Sequence, residues 1–322
     1  MTTSTRITIL MNNEPGGKSS NSGRESSRLH DDDHSESPGK GNHVTGVAPR
    51  HMPHVKVHGK RHGKALQCEH GLSLWIEHGG RRILFDTGQS PLLIRNAELL
   101  GINLAETDAV VLSHGHYDHT GGLTEVLKHA PVAEIYLHPA AVEDKYSRNG
   151  RNVRYNGMAT STKESLRRRR IQWTRTPTEI FDGVYVTGEI PRNNDIEDTG
   201  GDFCTDASCR TPDPLPDDQA LFIETESHRF VILGCGHSGV VNTLEHIERL
   251  AGSKSPDMVI GGMHLLHADA HRIDFTIDEL RRRKTRLIVP LHCTGVKAVE
   301  RLKEAFGDTC QLAGTGEYLL LP

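Results

Sequence analysis

The chain has 322 residues, a formal net charge of -4 at pH 7 and a hydrophobic fraction of 35%. The nearly balanced charge argues against a general nucleic-acid binder, and no apolar run is long enough to predict a membrane span. The low hydrophobic fraction indicates that part of the chain lies outside a packed core. Six scattered cysteines predict reduced thiols in a cytoplasmic protein rather than a disulfide framework.

The N-terminal part of the chain combines predicted strands with one long polar segment. Residues 6–13 predict a short strand, whereas residues 14–64 are rich in Gly, Ser and His and predict a disordered insertion. Residues 72–77 and 82–86 predict a hairpin that turns at a Gly-Gly pair. A helix is predicted next, with Ser90 as its cap, because a serine hydroxyl accepts a hydrogen bond from the first amides of a helix.

Further along the chain, predicted strands alternate with predicted helices. Residues 108–113 predict a buried strand and residues 119–130 a helix. The basic run at 167–170 is interpreted as a solvated helix face or loop, with an anion or nucleic-acid patch as the alternative. Residues 191–216 predict a second, irregular insertion. Together the elements predict one α/β domain over 1–322, in which two mixed sheets pack together with helices on their outer faces.

Residues 112–123, LSHGHYDHTGGL, place three histidines and one aspartate within six positions. Imidazole nitrogens and carboxylate oxygens are common ligands of zinc and other divalent transition metals. In an extended loop, residues i and i+2 point the same way, so His114 and His116 are expected to reach one ion. Asp118 and His119 then face a neighbouring point, which predicts a second ion about 3.5–4 Å away. The alternative is a histidine-rich surface turn.

Two histidines far along the chain are candidates to complete this site. His292 ends a predicted buried strand, and His237 lies between a predicted strand and a helix. Each could instead cap a helix or satisfy a core hydrogen bond. The glycines and the hydroxyl beside His237 begin a helix, whose unpaired amides suit an anion such as phosphate. Gly236, Ser238 and Gly239 therefore predict an anion site, with a simple helix cap as the alternative.

A series of motifs resembles the metallo-β-lactamase superfamily. They are, in chain order, EHGLSLWIE, ILFDTGQS, LSHGHYDHTGGL, TGEIPR, DDQALFIET, LGCGHSG, GGMHLL and PLHCTG. Their order resembles the dihydropterin synthase-like branch, whose name-giving activity joins a dihydropterin to a ribofuranosyl-aminobenzene phosphate. The resemblance covers residues 6–13 and 65–322 apart from the insertions. It implies a four-layer αββα sandwich and one or two divalent metal ions, zinc by preference, with iron or manganese as alternatives.

The resemblance also implies how the metal ligands are divided. His292 resembles the last histidine of the superfamily, on the second ion, and His237 is the best candidate to complete the first. Most members carry a bridging aspartate after a glycine where this sequence has Cys235, which is either a thiolate ligand or a small buried residue. The third histidine usual in the superfamily is absent from TGEIPR, where Glu189 is a weaker candidate ligand.

The resemblance implies a role for Asp86, and Asp118 and His264 are the candidates for catalysis. Asp86 is expected to orient a ligand histidine by accepting its N–H, or else to be a turn carboxylate at a strand end. Asp118 is expected to act in catalysis as well as in metal binding. His264 either contacts the substrate or packs in the core.

Three functions are compatible with this site. The resemblance implies a transferase that moves a dihydropterin-methyl group, with diphosphate as the leaving group. The alternatives are a hydrolase of a small phosphoester or ester that uses a metal-bound hydroxide, and a non-catalytic metal-binding regulator. A small, phosphorylated substrate is expected, with neither nucleic acid nor membrane as partner, and the oligomeric state stays open.

Overall fold

The computed structural model describes residues 4–13, 52, 55–59 and 66–322. The strands of this part are β1 (Thr5–Met11), β2 (Val57–His58), β3 (Ser73–His78), β4 (Arg81–Phe85), β5 (Ala109–Val111), β6 (Glu134–Leu137), β7 (Tyr146–Asn149), β8 (Asn152–Tyr155), β9 (Ile171–Trp173), β10 (Thr178–Phe181), β11 (Val184–Val186), β12 (Phe203–Cys204), β13 (Leu221–Glu224), β14 (Arg229–Leu233), β15 (Met258–Gly262), β16 (Leu287–Leu291) and β17 (Tyr318–Leu321). The helices are α1 (Leu92–Leu99), α2 (Tyr117–Thr120), α3 (Leu123–His129), α4 (Thr160–Leu166), α5 (Val240–Ala251), α6 (Ala270–Arg282) and α7 (Val296–Phe306).

Two mixed sheets form the centre of the molecule. The first has the strand order β2-β17-β1-β3-β4-β5-β6-β9, and the second has the order β10-β11-β13-β14-β15-β16. The predicted hairpin is confirmed, because β3 and β4 pair antiparallel, with His78 opposite Arg81. In the first sheet, β4, β5, β6 and β9 run parallel to one another. In the second sheet, β14, β15 and β16 run parallel. A small third sheet joins β12, β7 and β8.

The predicted four-layer arrangement is confirmed by three apolar clusters. One cluster lies between the sheets and combines Ile76 and Phe85 of the first sheet with Ile232 and Ile260 of the second. A second cluster packs α1, α3 and α4 against the outer face of the first sheet. A third cluster packs α5, α6 and α7 against the outer face of the second sheet. Each sheet therefore buries both faces, which explains its nearly continuous apolar strands.

The parallel strands bring several polar loops to one edge of the two sheets. Asp86 directly follows β4, His114 follows β5, and His292 directly follows β16. Cys235 follows β14, and His264 follows β15. In α/β sheets ligands bind outside the carboxyl ends of the strands, so a functional site is expected at this edge.

The two predicted insertions differ in what the structure describes. Within 14–64, most of the prediction of disorder lies outside the described residues, but Val57–His58 pairs with β17, so this part is an ordered strand. Residues 191–216 contain only the two-residue strand β12. There Cys204 and Cys209 form a disulfide, with their Cα atoms 5.1 Å apart. The prediction that all six cysteines are reduced is therefore wrong, because the turn between these two brings them within bonding reach.

Smaller corrections concern the helices. The predicted helix at 119–130 is divided into α2 and α3 at Gly121 and Gly122. Ser90 Oγ accepts from the Leu92 N–H at 3.2 Å, but Pro91 takes the cap position of α1. In the described part of the chain, no helix combines the length and the apolar character of a membrane span.

Candidate metal centre

Asp86 organises the loop that carries the first candidate ligands. Its two carboxylate oxygens accept hydrogen bonds from the Ser113 N–H and the Ser113 hydroxyl, each at 2.7 Å. His119 Nδ1 lies 2.7 Å from Asp86 Oδ2 and donates to it, because an ionised carboxylate only accepts. This donation makes Nε2, the atom that faces the rest of the cluster, the nitrogen that is left for a metal once its proton is displaced. The role expected for Asp86, orienting a ligand histidine, stays a prediction.

The first donor group consists of three histidines and one cysteine. His116 Nδ1 lies 2.9 Å from His114 Nε2 and 3.2 Å from His237 Nε2. His237 Nδ1 donates to the Thr199 carbonyl at 2.9 Å, so its Nε2 carries a lone pair. Donor atoms of His114, His237 and Cys235 all lie within 4.8 Å of one another. Zn–N bonds of about 2.0–2.1 Å imply separations of about 3.3 Å between nitrogens around one tetrahedral ion. The 3.2 Å between His116 Nδ1 and His237 Nε2 is close to this separation.

The second donor group lies beside the first and shares Cys235 with it. It combines Asp118, His119, Cys235 and His292, all buried, with donor atoms within 4.8 Å of one another. His119 Nε2 lies 3.1 Å from Cys235 Sγ and 3.2 Å from His292 Nε2. His292 Nε2 is also 3.3 Å from Asp118 Oδ2. Two adjacent donor sets that share one atom could hold a pair of neighbouring divalent ions.

Burial keeps most of the candidate histidine ligands neutral near pH 7. It lowers the pKa of His116 and of His292 to about 4. Burial together with neighbouring histidines holds the pKa of His114 and of His237 well below the usual 6.5. Neutral imidazoles present the lone pairs that a metal ion needs, so the donor set fits a metal better than a hydrogen-bonded core.

His119 and Asp118 are charged before any cation binds. Burial lowers the pKa of His119, but the carboxylates of Asp86 and Asp118 outweigh it and raise the pKa to about 9. Burial raises the pKa of Asp118, but His119 and the hydrogen bond from His292 hold it well below 3.8. A divalent ion at His119 Nε2 therefore has to displace a proton, as metal binding commonly does.

The Cys235 thiol is protonated in its buried environment. Burial raises its pKa well above 9.0, and the nearby Cys293 raises it further. A bound cation reverses this effect, because a coordinating thiol is deprotonated. The shared position of Cys235 thus suits a thiolate ligand only when metal is present.

Comparison with known proteins agrees with this geometry. The family model of the metallo-beta-lactamase superfamily matches residues 66–292. The chain belongs to this superfamily. A 7,8-dihydropterin-6-methyl-4-(beta-D-ribofuranosyl)-aminobenzene-5'-phosphate synthase of Methanocaldococcus jannaschii is 31% identical over 264 residues, which are 78% of this chain and 90% of the synthase. This match confirms the resemblance to the dihydropterin synthase-like branch.

Two further relatives extend the comparison. An uncharacterized protein of the same organism is 32% identical over 243 residues, which are 75% of this chain and 90% of that protein. The crystal structure of a metal-dependent hydrolase of the beta-lactamase superfamily superposes with a TM-score of 0.70 at 25% identity, and the match covers 98% of both chains. Metallo-beta-lactamase proteins similar to this chain thus include one named as a synthase and one named as a hydrolase.

Glu189 does not join the site that the superfamily motif suggested for it. Its side chain is exposed, and it belongs to neither donor group among the described residues. Its backbone N–H donates to the Arg175 carbonyl at 3.1 Å. His237 occupies the place on the first group for which Glu189 was the weaker candidate.

The predicted anion site at the start of α5 is corrected by the structure. Asp218 Oδ2 accepts from the Ser238 N–H at 2.6 Å. The Glu197 carboxylate accepts from the Val241 N–H at 2.9 Å and from the Asn242 N–H at 2.8 Å. A carboxylate therefore takes the Ser238 amide, and the Gly239 N–H donates to the Gly236 carbonyl at 3.0 Å, so neither amide is free for phosphate. Gly236, Ser238 and Gly239 shape the loop of His237 without offering an open anion site.

His264 lies at the border of the first donor group. Its ring centroid is 4.1 Å from that of His237, and its φ of 44° places it in the left-handed region. Burial lowers the pKa of His264 to about 3, so the ring is neutral. A donor atom of His264 also lies within 4.8 Å of Cys235 and Cys293. Its expected contact with a substrate stays a prediction.

The structure adds residues that the motifs alone did not single out. His70 Nε2 lies 3.0 Å from Asp118 Oδ2, and the His70 side chain is 51% exposed. Asn13 Oδ1 lies 3.0 Å from His292 Nδ1 and orients that ring. The Phe203 ring lies 5.0 Å from the ring of His116 and covers the first donor group. For His70 a signal existed, because EHGLSLWIE is one of the motifs that carry the family resemblance.

Gly115, in the middle of the metal motif, has no room for a side chain. A Cβ atom there would lie 2.2 Å from the Ala141 carbonyl oxygen. We expect Gly115→Ala to lower the free energy of unfolding by about 1–3 kcal/mol, because a close-packed backbone must move to accept the methyl group. Urea unfolding measures the change. Gly150→Ala, where nothing lies within 4 Å but φ is +60°, measures the cost of backbone strain without a clash, a strain that Gly115→Ala does not add. An unchanged stability of Gly115→Ala would contradict the close contact.

Proposed function

We propose that the protein is an enzyme that uses two divalent metal ions, zinc by preference, at the edge formed by the ends of β5, β14 and β16. His114, His116 and His237 would hold one ion, and Asp118, His119 and His292 the other. The observation that carries this proposal is the shared position of Cys235, within 4.8 Å of donor atoms of both groups. When bound, such ions act as Lewis acids and lower the pKa of coordinated water.

For the reaction, we propose transfer of a dihydropterin-methyl group to a ribofuranosylaminobenzene phosphate, with diphosphate as the leaving group. The support is the 31% identity to the synthase over 90% of its length. The exposed face of His70 and the Phe203 ring border the centre and are candidates to contact a substrate. An aromatic wall of this kind suits a planar pterin or aminobenzene ring, since aromatic pairs prefer offset-stacked or edge-to-face contact.

Hydrolysis of a small phosphoester or ester is the second candidate. It is favoured by the structural match to a metal-dependent hydrolase, at a TM-score of 0.70 and 25% identity. The same residues would serve both reactions: the ligand histidines hold the ions, and Asp86 keeps His119 in the tautomer that binds through Nε2. The two candidates differ in the group that attacks, which is an aromatic substrate in one and water in the other.

One assay separates these candidates. Purified protein loaded with zinc is incubated with a dihydropterin-methyl diphosphate, with and without the ribofuranosylaminobenzene phosphate, and diphosphate and coupled product are measured. A synthase forms the coupled product only when both substrates are present, whereas a hydrolase releases diphosphate without the acceptor or cleaves a simple phosphoester or ester. His116→Ala is the control, and its activity should fall at least as much as the roughly 10–100-fold typical of losing an outer-shell partner. Bound metal without turnover on any of these compounds would favour the regulator.

A further inference from the structure

A short buried segment, residues 217–219, connects the two loops that carry the first donor group. Asp217 Oδ2 accepts from the Gly115 N–H at 2.8 Å, between the two histidines of the metal motif. Asp218 Oδ2 accepts from the Ser238 N–H at 2.6 Å, next to His237. Adjacent carboxylates thus hold the loop after β5 with one side chain and the loop after β14 with the other.

Gln219, the third residue of this segment, also binds the chain that precedes His114. The Gln219 N–H donates to the Ser113 carbonyl at 2.9 Å, and Gln219 Nε2 donates to the Leu112 carbonyl at 2.9 Å. These bonds fix the chain immediately before His114. Because β5 belongs to the first sheet and β14 to the second, the segment joins loops that no continuous strand pairing connects.

Lys145 places a buried positive charge beside this segment. Its Nζ lies 2.8 Å from Asp217 Oδ1 and 3.0 Å from Asp213 Oδ2, and its side chain is 2% exposed. A buried cation is costly unless it is paired, so this pairing holds the Asp217 carboxylate in one orientation. The other oxygen of Asp217 is thereby directed at the Gly115 N–H.

We infer that residues 217–219 are positioning residues that set the distance between the His114–His116 loop and His237, and thereby the affinity of the first metal ion. This inference rests on the proposed metal centre. Ligand groups have to be held within about 0.5 Å of a productive geometry, and outer partners of metal ligands provide that constraint. Here the segment acts on the backbone of both loops rather than on the imidazole rings.

The test compares two substitutions of Asp218. Among the described residues, its Oδ1 atom has no hydrogen-bond partner, so Asn can keep the one acceptor that the Ser238 N–H uses. Zinc affinity is measured by titration against a competing chromophoric chelator, and the fold by circular dichroism. Asp218→Ala is expected to weaken the binding of one ion by about 10–100-fold, whereas Asp218→Asn should bind both ions nearly as wild type.

A matched control separates positioning from general destabilisation. Glu224→Ala removes the carboxylate that lies 2.6 Å from the buried Arg229 side chain, at the far end of β13. It is expected to lower stability and leave zinc affinity unchanged. If Asp218→Ala does not fold, Gln219→Met tests the inference instead. It loses only the side-chain hydrogen bond to the Leu112 carbonyl and should also weaken the binding of one zinc ion.

The outcomes separate this inference from the function on which it rests. A wild-type protein that binds no zinc would sink the proposed metal centre. A wild type that binds zinc, together with a folded Asp218→Ala that binds it equally well, would overturn the positioning role and leave the metal centre intact. Equal losses of zinc affinity in Asp218→Ala and Asp218→Asn would also overturn the positioning role, because the acceptor that Asn retains should rescue zinc binding.

Discussion

Replacing Cys235 by alanine is expected to lower the zinc content from two ions per chain to one or none. Cys235 Sγ lies 3.1 Å from His119 Nε2 and is the donor atom common to both groups. In the proposed centre, its loss would remove a shared donor from both ions. The affinity of the remaining centre should fall by more than the roughly 10–100-fold that follows loss of an outer-shell partner. Metal analysis after dialysis and a zinc titration measure both effects.

Two further variants control this experiment. Cys235→Asp introduces the bridging carboxylate that the resemblance implies for most of the superfamily, and it should retain two ions. Cys310→Ala removes another buried cysteine, from the cluster outside the second sheet, and should leave the zinc content unchanged. A Cys235→Ala protein that still binds two ions with wild-type affinity would show that this thiol is only a buried side chain.

Replacing Asp86 by alanine is expected to lower both the affinity for the second zinc ion and the free energy of unfolding. The Ser113 N–H, the Ser113 hydroxyl and the His119 ring lose their common acceptor. A buried donor left without a partner costs about 1–3 kcal/mol, so the free energy of unfolding should fall by at least that amount. Zinc affinity should fall by about 10–100-fold, since His119 is no longer oriented. Urea unfolding of the metal-free protein and zinc titration separate the two effects.

Asp257→Ala is the matched control for Asp86. Asp257 is also a buried carboxylate, but it lies at the opposite end of β15 and accepts from the Arg229 N–H and from Arg286 Nη1. Its replacement should lower stability without changing zinc affinity. If Asp86→Ala binds zinc as tightly as Asp257→Ala does, the carboxylate stabilises only the loop and does not orient a ligand.

The sequence alone identified the part of the site in which the donors are neighbours in the chain. His114, His116, Asp118 and His119 lie within six positions after a short strand, so their proximity follows from backbone geometry. Strand and helix patterns likewise predicted the mixed sheets and the outer helices, because apolar periodicity reflects the burial of each face. Positions after predicted strands offered His237 and His292 as further candidates, and the family resemblance supported His292.

Electrostatic neighbours were harder to foresee from the sequence. Gly236, Ser238 and Gly239 have the composition of an anion site, yet the Glu197 and Asp218 carboxylates already accept from amides of this region. These acids lie in loops before β13, and neither has a local sequence signal that ties it to the start of α5. Whether the amides at a helix start are unpaired depends on the whole fold.

Contacts between residues far apart in the chain depend on the tertiary structure. The sequence by itself determined the metal motif, the fold class and the strand edge at which ligands gather. Only the packing of the two sheets decided that Cys235 lies between both donor groups and that residues 217–219 hold both loops. His119 and His292 are 173 positions apart in the chain, yet their Nε2 atoms lie 3.2 Å apart. Contacts at such separations follow from the register and stacking of the sheets, which no local pattern of residues specifies.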